Sequence, residues 1–247
     1  MRTITPTRYV TPFREGGSMP ALVEADDDGL YVLKFRGAGQ GPRALVAEII
    51  AGELARAIGL PVPEIVFAEL DPRIAHAEPD PEIQELLARS TGLNVALDFL
   101  PGSLAFTPAH AVDSRLAAEI VWFDALVMNV DRTPRNPNLL CWHDDLWLID
   151  HGAAFFRHHT AGGDGWTAET VAAMPFDAIG QHVLRAQAGS IREAHERLAP
   201  RIDDRLLESL RALVPPEWAS GRDYTEFVAA RLGGDLNWIE EAEDGRA

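Results

Sequence analysis

Apolar and polar positions alternate in LYVLKF, residues 30 to 35, after the turn-forming stretch ADDDG at 25 to 29, and this period of two predicts a strand with Lys34 near its end. The glycine-rich RGAGQGP at 36 to 42 breaks the pattern. RALVAEIIAGELARAIG then repeats its apolar residues at helical spacing, carries Glu48 about one turn in, and stops at Gly59, a C-cap candidate. PEIVFAEL reads as a second strand, DPRIAHAEPDP as a proline-rich connection, EIQELLARS as a short helix, and NVALDFL as a strand ending at PGS.

Beyond that point the pattern changes. Residues 114 to 130, SRLAAEIVWFDALVMNV, are apolar on nearly every side and predict a buried helix. NLLCW and LWLID follow as two strands joined by a turn at the aspartate pair, a hairpin. From Gly165 onward HVLRAQ, IREAHERLAP and DRLLESLRALV read as helices between polar breaks, with neither an internal repeat nor a low-complexity tract beyond a short acidic tail. The pattern predicts an α+β chain, strand-rich over residues 1 to 100 and mainly helical over 101 to 247, joined near 98 to 103.

Composition narrows the classes. At 247 residues the chain can bury a proper core. It has no apolar run long enough to span a bilayer and its first residues, MRTITPTRYV, lack a signal-peptide core, so the expectation is a cytoplasmic protein without membrane insertion. The single Cys141 excludes an intrachain disulfide and reads as a packing residue. A formal net charge of -16 argues against direct nucleic-acid binding, since a phosphate backbone demands a basic stripe. A phosphorylated ligand would need a small pocket with divalent cations to screen the acids.

Lys34 is the only lysine among 22 basic residues. A lysine is a compact point charge on a thin stem, where arginine is a wide planar fork, so the position suits a narrow pocket or a phosphate oxygen. A strand-end lysine snorkelling to solvent fits the same residue. The loop NVDRTPRNPNLL holds Asp131 and Asn136 just before the hairpin, and Asp150 stands at the hairpin's exit. Because a hairpin folds its ends together, the three converge at one rim, with two oxygen ligands for magnesium and one carboxylate to orient a nucleophile.

Read with Lys34 and Glu48, these residues resemble the two-lobed protein-kinase-like fold: a strand lysine, a helix glutamate, an Asp followed five residues later by Asn, and Asp-x-Gly after a hairpin, in that order. Within it the sequence is similar to the HipA-like serine/threonine kinases of bacteria, in which the glutamate helix ends in Gly-Leu-x-Val-Pro, here GLPVP at 59 to 63. The likeness runs from about residue 10 to 160. It implies that Lys34 holds the α- and β-phosphates of ATP and pairs with Glu48, that Asp131 orients or deprotonates the acceptor hydroxyl, and that Asn136 and Asp150 bind Mg2+. The backbone at Asp98, Phe99 and Leu100 would meet the adenine, and Ser18 in REGGSMP, the candidate phosphate-covering loop, would cap a phosphate or be phosphorylated itself. The implied acceptor is a hydroxyl of a protein or peptide. A small-molecule or lipid-headgroup acceptor, or a nucleotide-binding regulatory module without turnover, are the alternatives. A HipA-like identity also raises a DNA-binding antitoxin partner, for which the chain shows no contact motif.

The chain departs from the kinase pattern at named places. Asn129 and Val130 stand where eukaryotic protein kinases have His-Arg, and His151 replaces the phenylalanine of Asp-Phe-Gly. Arg132 and Arg135 flank the loop and are candidates to steady a γ-phosphate or an acidic acceptor, at least one of them being a solvated loop residue. His158 and His159 read as a surface loop, the six tryptophans as core or helix-packing residues, and EEAEDGRA as a frayed, solubilising terminus.

Overall fold

The computed structural model describes residues 1–13, 19–159 and 166–244. The alternation at 30 to 35 is one strand of a larger sheet, built from β1 (Thr3–Ile4), β2 (Pro6–Pro12), β3 (Ala21–Ala25) and β4 (Leu30–Lys34), then, after helix α1 (Pro42–Ala57), β5 (Ile65–Leu70), and after helix α2 (Pro81–Arg89), β6 (Gly92–Asp98). Their order is β1-β5-β6-β4-β3-β2, antiparallel except for the β1–β5 pair. β1 and β2 were not legible as alternation. In β2 prolines stand at both ends, its pairing with β3 shifts register twice, and its one buried residue is Pro6, so no apolar face marks it.

The two faces of the sheet feed two cores. Ile65, Val95 and Leu97 pack with α1 in the larger cluster, whereas Val66, Ala68, Ala96, Tyr31 and Leu33 pack with Ile83, Leu86 and Leu87 of α2. Leu33 faces α2, so the period of two turns Lys34 towards α1. Pro42 opens α1 behind Gly41, whose φ of 66° suits glycine, and the helix ends as the sequence predicts. Gly59 adopts φ 95° and donates to the Arg56 carbonyl while Leu60 donates to that of Ala55, the paired bonds of a Schellman cap.

After Asp98 the chain adds β7 (Leu104–Ala105) and then helix α3 (Ser114–Leu126), capped by Asp113, which accepts from the amides of Arg115 and Leu116. The buried helix is real, but it stops at Leu126 and not at residue 130. Met128 turns left-handed at φ 47°, and Asn129 folds back so that its amide N–H meets the Asp124 carbonyl at 2.9 Å. β8 (Leu139–Trp142) and β9 (Asp145–Leu148) form the hairpin, with β7 on its outer edge. The turn lies one residue earlier than the aspartate pair: His143 and Asp144 take φ 48° and 67°, and Asp145 already pairs with Trp142.

The remaining chain is helical: α4 (Phe156–His159), α5 (Ala168–Ala172), α6 (Ile191–Leu198), α7 (Asp204–Arg211), α8 (Tyr224–Gly233) and α9 (Asn237–Asp244). HVLRAQ is not an α-helix; only Arg185–Gln187 forms a single 3-10 turn. The acidic tail is not frayed as far as Asp244. Trp238, Ile239 and Ala242 are buried, the Glu241 carboxylate accepts from the Phe176 amide at 3.1 Å, and that of Glu243 accepts from the Ile191 amide at 2.6 Å, at the start of α6. His158 is likewise no surface residue: it is wholly buried among the rings of Phe155, Trp166, Tyr224 and Phe227. Among the tryptophans, 122, 218 and 238 are core, and Cys141 is half-buried against it. Among the described residues no helix is long and apolar enough to cross a membrane.

Candidate active site

Lys34 leaves the end of β4 towards α1, and there its ammonium meets two acids. Nζ lies 2.5 Å from Glu48 Oε2 and 2.5 Å from Asp150 Oδ1. Glu48 is wholly buried and Lys34 is 8% exposed, so this is a nearly enclosed charge cluster. Burial opposes the charge on Lys34, but the fields of Asp150 and Glu48 outweigh it and hold the ammonium above its ordinary range. Burial likewise pushes Glu48 up, and Lys34 and His151 outweigh it, leaving the carboxyl at about 2. Asp150 has a φ of 55°, unusual for a residue with a side chain. Gly152 follows it, and a Cβ there would meet Asp150 Oδ1 at 3.5 Å and the Ala44 carbonyl of α1 at 3.6 Å, ordinary contact distances.

Asp131 stands in the loop between α3 and β8, held from three sides. Its amide donates to Asn129 Oδ1 at 3.1 Å, and its Oδ2 accepts from Asn136 Nδ2 at 2.8 Å and from Asn138 Nδ2 at 3.2 Å. The sequence reading brought Asp131 and Asn136 together; it missed Asn138. Beneath the loop lies a second buried cluster that it also missed. Asp124 of α3 accepts from Arg132 Nε at 2.6 Å, His182 Nε2 at 2.8 Å and Asn129 Nδ2 at 3.0 Å. Burial acts to raise Asp124, and Arg132 and His182 more than reverse it, so its carboxyl sits well below the usual range. Arg132 also donates to the Asn138 and Ile149 carbonyls, tying the loop to the peptide before Asp150. Arg132 is therefore not available to a γ-phosphate: its side chain is wholly enclosed, and Arg135 is the exposed member of the pair. The available signal was Asp124 itself, one charge inside the apolar run VWFDALV.

Asp150 Oδ2 and Asn136 Oδ1 take no bond from any described residue, and both residues reach solvent, Asp150 with 36% of its side chain exposed. A carboxylate oxygen of Asp150, beside the Lys34 ammonium, and the amide oxygen of Asn136, on the Asp131 loop, are hard oxygen donors of the kind that fits a divalent cation carrying phosphates. At the Asp98–Leu100 stretch the amides of Asp98 and Phe99 are donated to the carbonyls of Glu64 and Leu30. Donors for a base therefore begin at Leu100, and Trp142 of β8 fixes the next residue by donating to the Pro101 carbonyl at 2.9 Å. Ser18 lies outside the described residues.

A two-lobed α+β fold with these residues in this order is a protein-kinase-like fold, and known structures share it. The Helicobacter pylori proinflammatory kinase CtkA superposes with a TM-score of 0.53 at 15% identity, covering 90% of this chain and 92% of that one. The Golgi casein kinase, solved with Mn/ADP bound, gives a TM-score of 0.59 at 14% identity over 99% of this chain and 75% of that one. No curated protein matches the sequence. The HipA-like kinase family model matches residues 7–231, and the chain belongs to that family. The match reaches well past the segment near residue 160 where the sequence likeness was expected to end.

Proposed function

We propose that the chain is an ATP-dependent kinase transferring the γ-phosphoryl group to a serine or threonine hydroxyl of a protein or peptide. The observation that carries this reading is the meeting of Lys34 with both Glu48 and Asp150 at 2.5 Å, beside the Asp131 loop. Lys34 binds the α- and β-phosphates, Glu48 keeps it aimed, and Leu100 with its neighbours meets the adenine. Asn136 and Asp150 hold the divalent cation, taken to be Mg2+, which when bound with ATP draws negative charge from the phosphates. Asp131 Oδ1, free of partners among the described residues, faces the acceptor hydroxyl and takes its proton. The acceptor oxygen forms its bond to the γ-phosphorus as the bond to the bridging oxygen breaks, and ADP leaves with that electron pair.

The cavities bear on the acceptor. Two among the helices, of about 380 and 420 Å³, contain none of Lys34, Asp131, Asn136 or Asp150, so neither is an enclosed small-molecule acceptor pocket at the site. We take the acceptor to be presented from outside, as a peptide segment would be, because the side chains of Asn136 and Asp150 reach solvent. Labelled ATP with cell lysate and a metabolite panel tests it: phosphate should appear on protein. Magnesium-ATP should raise the melting temperature, as any ligand of the folded state alone must. Asp131→Ala should leave nucleotide affinity by calorimetry within a few fold while cutting transfer by roughly two orders of magnitude or more. Full activity in that variant overturns the role of Asp131; binding without transfer in the wild type leaves a regulatory module.

A further inference from the structure

His151 occupies the phenylalanine position of Asp-Phe-Gly and the phosphoryl-transfer scheme does not use it. It is wholly buried, and neither ring nitrogen has a hydrogen-bond partner among the described residues. Glu48, also wholly buried, spends Oε2 on Lys34 and leaves Oε1 without a partner. These orphans face each other: His151 Nδ1 stands 3.6 Å from Glu48 Oε1, a few tenths of an ångström beyond a hydrogen bond. A buried carboxylate oxygen without a donor, beside a buried ring nitrogen without a partner, is a costly arrangement that one small ring rotation resolves.

The surroundings hold the ring for that contact. Phe123 of α3 meets it edge-on, with ring centres 6.1 Å apart at 78°. Gly52, one turn after Glu48 on α1, leaves the slot open: a Cβ there would stand 3.7 Å from His151 Nδ1 and only 2.3 Å from Ile65 Cδ1. Asp150, the preceding residue, binds Lys34. One stretch of chain thus carries both the acid that meets the lysine and the ring that meets the lysine's glutamate.

We propose that His151 is a positioning residue that donates Nδ1–H to Glu48 Oε1, fixing the plane of the carboxylate and through it the direction of the Lys34 ammonium. The circuit runs Lys34, Glu48, His151, Asp150 and back to Lys34, so α1 and the segment after the hairpin are registered on one another. A phenylalanine would fill the slot and leave Oε1 unbonded. The effect on turnover rests on the kinase reading; the contact itself does not.

The single lysine makes the test clean, because protein labelled with [15N]lysine gives one Nζ signal. In nucleotide-free protein at fixed pH, His151→Phe should shift or broaden that signal with little change in melting temperature. Turnover should fall about tenfold or more, as for other groups that orient a binding residue, while magnesium-ATP affinity stays within a few fold. His151→Asn, whose side-chain amide places a donor near Nδ1, should restore part of both readouts, and His151→Leu, of similar size without a donor, should not. The Asn and Leu pair decides the matter if the Phe variant fails to fold. A wild-type Lys34 signal in the Phe or Leu variant overturns the proposal, leaving the ring as packing alone. If the wild type phosphorylates nothing, the kinase reading falls while the Nζ signal still decides the His151–Glu48 contact.

Discussion

Among the described residues two carboxylates are wholly buried, Glu48 in α1 and Asp124 in α3, and each faces one cation and one histidine. Around Asp124 every contact is closed: Arg132 at 2.6 Å, His182 at 2.8 Å and Asn129 at 3.0 Å. Around Glu48 one contact is closed, to Lys34, and one stands open, to His151. The cations differ in kind as well. Arg132 uses its fork to reach a carboxylate and two backbone carbonyls at once, which welds the loop in place. Lys34 has no fork, shares its charge between two acids, and keeps a small exposed edge. The enclosed cluster, in which every Asp124 contact is made, reads as scaffold, and the shared, partly open one as the proposed site of ligand exchange.

The largest effect should come from breaking the scaffold. Asp124→Ala removes the acid that, among the described residues, alone faces Arg132 and His182, and leaves an arginine buried without compensation, at a cost of about 3–5 kcal/mol by urea unfolding. Glu48→Gln should cost much less stability, because Asp150 still neutralises Lys34, while removing most transfer activity. Equal stability losses in the two variants would erase the distinction between the clusters.

Lys34→Arg sharpens the contrast between the cations. A guanidinium is too wide to sit between Glu48 and Asp150 at the present spacing, so turnover should fall roughly 100-fold, about 2.7 kcal/mol in transition-state terms, with a far smaller change in melting temperature. Wild-type turnover in this variant would mean that the lone lysine is incidental.

The open cluster was legible in the sequence and the closed one was not. Lys34 and Asp150 stand at or just past the ends of strands whose periods are clear, and the resemblance in residue order added Glu48; the structure joins Lys34 to both acids and Asn136 to Asp131. Asp124 hides in a helix that reads as core, and its partner His182 is 58 residues away in a segment that reads as a helix and is not. Only the tertiary path of the chain joins them. The same limit hid β1 and β2, whose pairing is set by neighbours and not by alternation, and the docking of α9, where Glu241 and Glu243 look like solvated charge until Phe176 and Ile191 supply amides.

The smallest effect concerns a third buried histidine, which has no acid. His158 is enclosed by rings, with Tyr224 4.4 Å away, and burial lowers its pKa from 6.5 to about 4, with His159 and Arg222 adding to the shift. Its folded pKa lies below its unfolded one, so the unfolded chain takes up the proton first. Stability from this group is complete above about pH 6.5, falls as the pH drops towards 4, and then levels off. At pH 5 the loss amounts to about 2 kcal/mol. His182, in contrast, keeps Asp124 beside it to offset part of its burial, although its pKa too is lowered. His158→Phe should therefore retain the aromatic packing and abolish that portion of the acid loss, bringing the unfolding free energies at pH 7.5 and pH 5 closer by about 2 kcal/mol than in the wild type. Urea titrations of both proteins at the two pH values measure it. Parallel losses in wild type and variant would place the acid sensitivity elsewhere, at His182 against Asp124, and make the closed cluster the weaker of the two in acid.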